Sequence, residues 1–222
     1  MKVVTIKKDV ADLWISTKHY SRRPSIFWKA FGLLIDDKIE GVVVYGQPSP
    51  SIQRYAFHDR TFKMYELCRL VIQTKKKNAA SFLVANSLKM LEKPCAVVSY
   101  SDMEYQHCGF IYQATNWLYT GQTKSHDHTY IVDGERLHAM TIRDKFGVTK
   151  IKAWAKENGI ETVRPCFKHR YFYLCGNKTD KKTMLGTLRY DVIAQYPKAN
   201  PKRYDDGNHI DMDYIDVDDF VS

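Results

Sequence analysis

Residues 65–102, YELCRLVIQTKKKNAASFLVANSLKMLEKPCAVVSYSD, decide the fold. YELCRLVIQ is rich in the aromatic and branched residues that suit a pleated surface and predicts a strand. TKKKN interrupts it, and in ASFLVANSLKMLEK the apolar period changes. Val84, Leu88 and Leu91 fall at i, i+4 and i+7, one face of a helix. Asn78 stands where an N-cap belongs, and Pro94 stops the helix before CAVVSYSD, a short buried strand. A strand feeding a helix leaves backbone N–H groups unpaired at the helix N-terminus, where the dipole favours an anion. Lys75, Lys76 and Lys77 add positive charge at that end, either for a phosphate or as a solvated turn without a ligand.

Working outward, VVTI predicts an opening strand. Asp9 predicts the cap of a helix through Val10, Leu13 and Trp14 that ends near His19 and Tyr20, before the basic loop SRRPS. FWKAFGLLI and KIEGVVVYG, joined by Asp36-Asp37, read as a hairpin. QPSPSIQRYAFHDRTFK is too long and irregular for a tight turn and reads as a binding loop. Downstream come a helix within MEYQHCGFIYQAT, the strands NWLYTG and YIVDG, helices in HAMTIRDKF and KIKAWAKENG, and the strand FKHRYFYLC. This alternation predicts an α/β (α+β) domain over residues 1–204, a mixed central sheet flanked by helices, with an acidic tail at 205–222.

The balance of 44% hydrophobic and 27% charged residues excludes wholesale disorder. No apolar run approaches the roughly 18 residues that span a bilayer, and the N-terminus lacks a signal-peptide core. The expected location is therefore the cytoplasm of the producing cell, away from membranes. Cys68, Cys95, Cys108, Cys166 and Cys175 form no CxxC pair and read as reduced, mostly packed thiols. Charge says more. Seven of the 25 acids follow Arg203, and no Lys or Arg does, so residues 1–203 carry 34 bases against 18 acids, or +16. A body this basic points to a polyanionic partner, with nucleic acid the leading candidate, or to a merely soluble basic surface. The acidic tail is either a solvated end or a shield for that body.

The order of hairpin, long loop, strand, basic loop, helix, strand, helix and strand resembles that of the GNAT acyltransferases, which bind acyl-CoA at the central helix. Their loop carries Gln/Arg-x-x-Gly-x-Gly/Ala. Here residues 73–80 read QTKKKNAA, with Ala80 compatible with the last position and neither glycine present. HYSRR at 19–23, ELCRLVI at 66–72, NAASFLVANSLKML at 78–91, VSYSD at 98–102 and GFIYQATNWLYTG at 109–121 together resemble the phage Mom family of DNA-modification proteins. That resemblance implies a GNAT-like fold and conversion of adenine N6 in DNA to a carbamoylmethyl-type derivative that protects against restriction enzymes. It implies catalytic roles for His19, Tyr20, Asp102 and Tyr112, and acetyl-CoA or a related acyl-CoA held by Arg69, Leu70, Val71, Lys76, Asn78, Ala80, Ser81 and Ser87. Substrate contacts would come from Arg22, Arg23, Gln113, Asn116 and Trp117, with His107 in the same motif.

The residue chemistry allows these roles beside structural ones. His19 is a base near neutral pH, a metal ligand or a structural histidine. Asp102 orients a base, accepts from an adenine amino group or caps the next helix. Tyr112 and Trp117 bound a flipped base or pack the core. Arg69 pairs with a phosphate or with Glu66; strand alternation would place these two on opposite faces and favour the phosphate. A carbamoylmethyl product needs bonding at a methylene carbon plus an amide nitrogen, so acyl transfer alone does not reach it, and a metal ion or another donor is called for. Histidines 19, 58, 107, 126 and 128 are available, without diagnostic metal spacing. A conventional GNAT acetylating a small amine or a protein, and a non-catalytic DNA-binding protein on this fold, are the alternatives.

Overall fold

The computed structural model describes residues 1–19, 25–58, 61–103, 107–123, 129–163 and 167–198. Its main sheet runs through β1 (Lys2–Thr5), the hairpin β2 (Lys29–Ile35) and β3 (Lys38–Gly46), then β4 (Lys63–Ile72), β5 (Cys95–Asp102), β6 (Leu118–Gln122) and β10 (Lys168–Cys175). The spatial order is β1-β2-β3-β4-β5-β10-β6. Only β4 and β5 pair in parallel, joined by the crossover helix α3 (Ala79–Met90), so the sheet is mixed as expected.

Asp36 and Asp37 both adopt left-handed backbone angles (φ 50° and 60°), the conformation a tight two-residue hairpin needs. Alternation then sorts the side chains. Phe31, Leu33, Val43 and Tyr45 face α3 and α4 (Phe110–Ala114), whereas Ala30, Val42 and Val44 face α1 (Lys8–Lys18). Ala96, Val98, Phe172 and Leu174 pack with α2 (Pro50–Tyr55) and α7 (Lys178–Thr187).

Three local expectations change. The stretch read as an irregular binding loop contains α2, with Ser49 accepting from Ile52 N–H and Pro50 opening the helix, a pairing visible in the sequence. Helix α1 starts one residue before Asp9, which lies in its first turn. Asn78 occupies the N-cap position of α3 without a capping bond from its side chain. Beyond β6, β7 (Thr129–Val132), β8 (Glu135–His138) and β9 (Glu161–Val163) form a second sheet, with α5 (Ala139–Phe146) and α6 (Ile151–Glu157) between β8 and β9. Tyr130, Val132, Leu137, Ile142 and Ala155 give this unit its own core. No helix among the described residues is long and apolar enough to cross a membrane. The acidic tail lies outside them.

Candidate active site

Strands β4 and β5 pair over Lys63–Glu66 and Cys95–Val98 and then diverge, β4 staying with β3 and β5 with β10. The space between them is a cavity of about 760 Å³, within the range of small-molecule sites. Residues 78–81 at the start of α3, residues 107–112 leading into α4, and His19 at the end of α1 complete its lining.

A bulge shapes its wall. Val44 pairs with Arg69 and Tyr45 with Leu67, which leaves Cys68 without a partner in β3. One extra residue reverses the alternation, so Leu67 joins the α3 face while Val71 joins the α1 face. Arg69 therefore shares a side with Glu66, contrary to the expectation from simple alternation. Burial pushes the Glu66 carboxyl up to about 6, against the opposing pull of the Arg69 charge. Arg69 also lines the cavity and donates through one terminal nitrogen to the Cys68 carbonyl at 2.7 Å. Its Nε is buried and finds no hydrogen-bond partner among the described residues.

His19 is only 7% exposed. Burial, with smaller contributions from Arg69 and His107, holds its imidazole down at about 3. It is neutral at pH 7 and offers one donor and one acceptor, and of its three readings the base titrating near neutral pH is the one this burial disfavours. His107 is also held below its ordinary value by burial, partly offset by Asp102. Asp102 ends β5 opposite Lys168, whose Nζ lies 3.5 Å from its carboxylate. The Tyr112 hydroxyl lies 2.7 Å from Ser99 Oγ, which donates to the Leu67 carbonyl. Ser101 Oγ is buried in the cavity wall without a partner among the described residues.

The loop answers the missing glycines. Counting back from Ala80, the first glycine of the acyl-CoA loop pattern falls on Asn78, which takes φ 63° and ψ 8°. Asparagine is among the few residues that visit this left-handed region readily, so the backbone turns where glycine would turn it. The fit to a pyrophosphate-bearing donor rests on that turn, on Lys76 in the cavity lining, and on the unpartnered Arg69 Nε and Ser101 Oγ.

The cavity thus gathers His19, Asp102, Tyr112 and His107. From the donor-binding set it takes Arg69, Leu70, Val71, Lys76, Asn78, Ala80 and Ser81. Ser87 does not belong there. It is fully buried, 2.7 Å from the Tyr45 hydroxyl, and donates to the Val84 carbonyl inside the core. Gln113, Asn116 and Trp117 also fall outside the lining. Gln113 Nε2 donates to the carbonyls of Cys108 and Pro197, and Asn116 takes φ 59° in the turn after α4. Trp117 is buried with its ring 4.9 Å from that of Tyr112. Tyr20, Arg22 and Arg23, like His126 and His128, lie outside the described residues. Among the described residues no three His, Cys, Asp or Glu side chains form a metal-holding group. Sequence reasoning missed Ser101, although small polar residues in an otherwise buried strand signalled it.

No curated protein matches the chain. Among solved structures it is similar to a Bacillus subtilis acetyltransferase in complex with CoA, at 11% identity and a TM-score of 0.38, over 77% of this chain and 85% of that one. At that score the likeness carries no argument about ligand or chemistry. The model of the Mom protein family matches residues 1–198 of the 222, and the chain belongs to that family.

Proposed function

We propose that this protein modifies the N6 amine of adenine in double-stranded DNA, leaving a carbamoylmethyl-type group that protects the DNA from restriction, and that its cavity holds an acyl-CoA-type donor. Family membership supports DNA modification as the broad activity. The observation that carries the site assignment is the composition of the cavity. A cationic region with Arg69, Lys76 and the start of α3 adjoins a carboxylate, Asp102, and two imidazoles, His19 and His107.

Adenine N6 is paired in a duplex, so the base is turned out of the stack at a cost of a few kcal/mol. The basic body holds the backbone meanwhile. Asp102 accepts from the two hydrogens that the N6 amine offers, and takes up the proton that N6 gives up when its new bond forms. Neutral His19 and His107 donate or accept beside it without adding a competing positive charge. Arg69 and Lys76 hold the anionic part of the donor, with Ser101 as a further hydrogen-bonding group. An acyl-CoA, when bound, would supply a thioester carbonyl whose C–S bond breaks, with departure of the thiolate, as N6 is acylated. The methylene carbon bond and the amide nitrogen of a carbamoylmethyl group call for a further nitrogen donor besides it.

Mass spectrometry of nucleosides from plasmid DNA, recovered after expression of the protein, tests this. The expected result is a heavier deoxyadenosine in wild type and none with Asp102→Ala, a variant that keeps its circular dichroism spectrum and DNA affinity. Unmodified DNA from folded wild type would overturn the reading. Full activity in Asp102→Ala would remove Asp102 from the site.

A further inference from the structure

We propose that residues 129–163 form a DNA-docking module, with the turn before α6 and the outer face of α6 as the surface laid against the duplex. This rests on duplex DNA being the substrate, as read above. The unit has its own core, and none of its residues lines the cavity. Its centre is a pair of short helices joined by a tight turn. Four residues, 147–150, connect α5 to α6, and Gly147 adopts φ 67°, the left-handed angle that lets the chain leave α5.

The second helix divides sharply between core and solvent. Ala155 is buried and Ile151 and Trp154 pack against the same core, whereas Lys152, Ala153 and Lys156 are exposed. Thr149, Lys152 and Lys156 recur at helical spacing, and Lys150 is exposed beside them. The ion pairs of the unit join Arg143 to Asp144 and Lys145 to Glu135; Lys150, Lys152 and Lys156 enter none among the described residues. Three lysines outside any ion pair among the described residues, around a small Ala153 and with Glu157 at the end of the helix, make a surface that accepts phosphates and allows close approach. An α-helix with its side chains is about 10–12 Å across, which fits a major groove about 12 Å wide.

The attachment of the unit makes docking useful. Strand β6 ends and β10 begins at the cavity end of the sheet: Gln122 pairs with His169, and Thr123 N–H donates to the Lys168 carbonyl at 2.8 Å. Lys168 stands opposite Asp102. The main-sheet residues that precede and follow the unit, Thr123 and Lys168, therefore stand at the edge of the proposed site, so a duplex held by the unit is tethered near where a base is to be turned out.

Fluorescence anisotropy of a labelled 20-base-pair duplex with the full chain, titrated over a series of salt concentrations, is the test. Lys150→Gln, Lys152→Gln and Lys156→Gln together should weaken binding about tenfold or more. They should also lower the slope of log affinity against log salt by up to about 2.7, near 0.9 for each phosphate no longer neutralised. Arginine at the same three positions should retain affinity, and α6 amides should gain hydrogen-exchange protection when wild type binds DNA. A matched variant, Lys178→Gln, Lys181→Gln and Lys182→Gln on α7, should lose much less. Wild-type affinity and slope in the α6 variant would overturn the proposal, as would an equal loss in the α7 variant or unchanged exchange at α6. Failure of the modification reading looks different: wild type would leave DNA unmodified while its binding still depended on α6.

Discussion

A histidine held neutral by burial must be protonated when the protein unfolds in mild acid, and His19 allows that linkage to be put in numbers. Its pKa is about 3 in the folded chain and 6.5 when unperturbed. The unfolded state therefore binds more protons between these values, so the contribution of His19 to stability is fully present above pH 6.5 and is lost as pH falls toward 3. From pH 7 to 4.5 about two pH units lie inside the window, which corresponds to about 3 kcal/mol at 1.36 kcal/mol per unit. That is a large share of a typical total of about 5–15 kcal/mol. Glu66 acts in the opposite sense. Its carboxyl is raised from 4.5 to about 6, so acidification relieves about 2 kcal/mol of burial cost over the interval. The wild-type curve alone is therefore not diagnostic, and the difference from His19→Gln is. Urea denaturation at half-unit steps from pH 7.5 to 4 should show wild type losing about 3 kcal/mol relative to the variant, and the His19 ring protons should not titrate near pH 6.5 in NMR spectra. Parallel stability curves, or a normal titration of that ring, would refute the reasoning.

Other expectations follow from the same geometry. Lys76→Ala should weaken acyl-CoA binding by about tenfold in calorimetry, about the value of one charged hydrogen bond, while Lys75→Ala and Lys77→Ala leave it nearly unchanged, since only Lys76 of the three lines the cavity. Ser87→Ala should cost about 1–3 kcal/mol in urea denaturation by leaving the Tyr45 hydroxyl buried without its partner, with donor affinity intact. Gly109→Ala should destabilise by about 2 kcal/mol or more in thermal melts, because a Cβ there meets the Tyr171 ring at 2.5 Å on a backbone at φ 78°. A variant as stable as wild type would show that the α4 entrance relaxes around the added methyl.

Much of the fold was legible in local patterns. The Asp36-Asp37 hairpin and the change of period at Thr74–Asn78 depend on residues adjacent in the chain, and the structure has each there, whereas the helix ends at Met90, ahead of the stop expected at Pro94. The β8 strand was missed although Asp133-Gly134, both at positive φ, carried the same kind of turn signal as Asp36-Asp37. The candidate site was legible only in part. His19, Asp102 and Tyr112 converge on the cavity, whereas Gln113, Asn116 and Trp117, from the same motif as Tyr112, turn to the C-terminal segment, a tight turn and the core.

By itself, then, the sequence determined most elements of the main sheet and their order, the basic body and the family. Propensity, periodicity and charge act over a few residues or over the whole composition, and both can be read along a line. Tertiary structure alone decided that Cys68 bulges from β4, bringing Arg69 to the same side as Glu66. It alone placed Ser87 against Tyr45 in the core and gave residues 129–163 a core of their own. Each of these depends on pairing between distant strands or on which neighbours close over a side chain, and no window along the chain contains both partners.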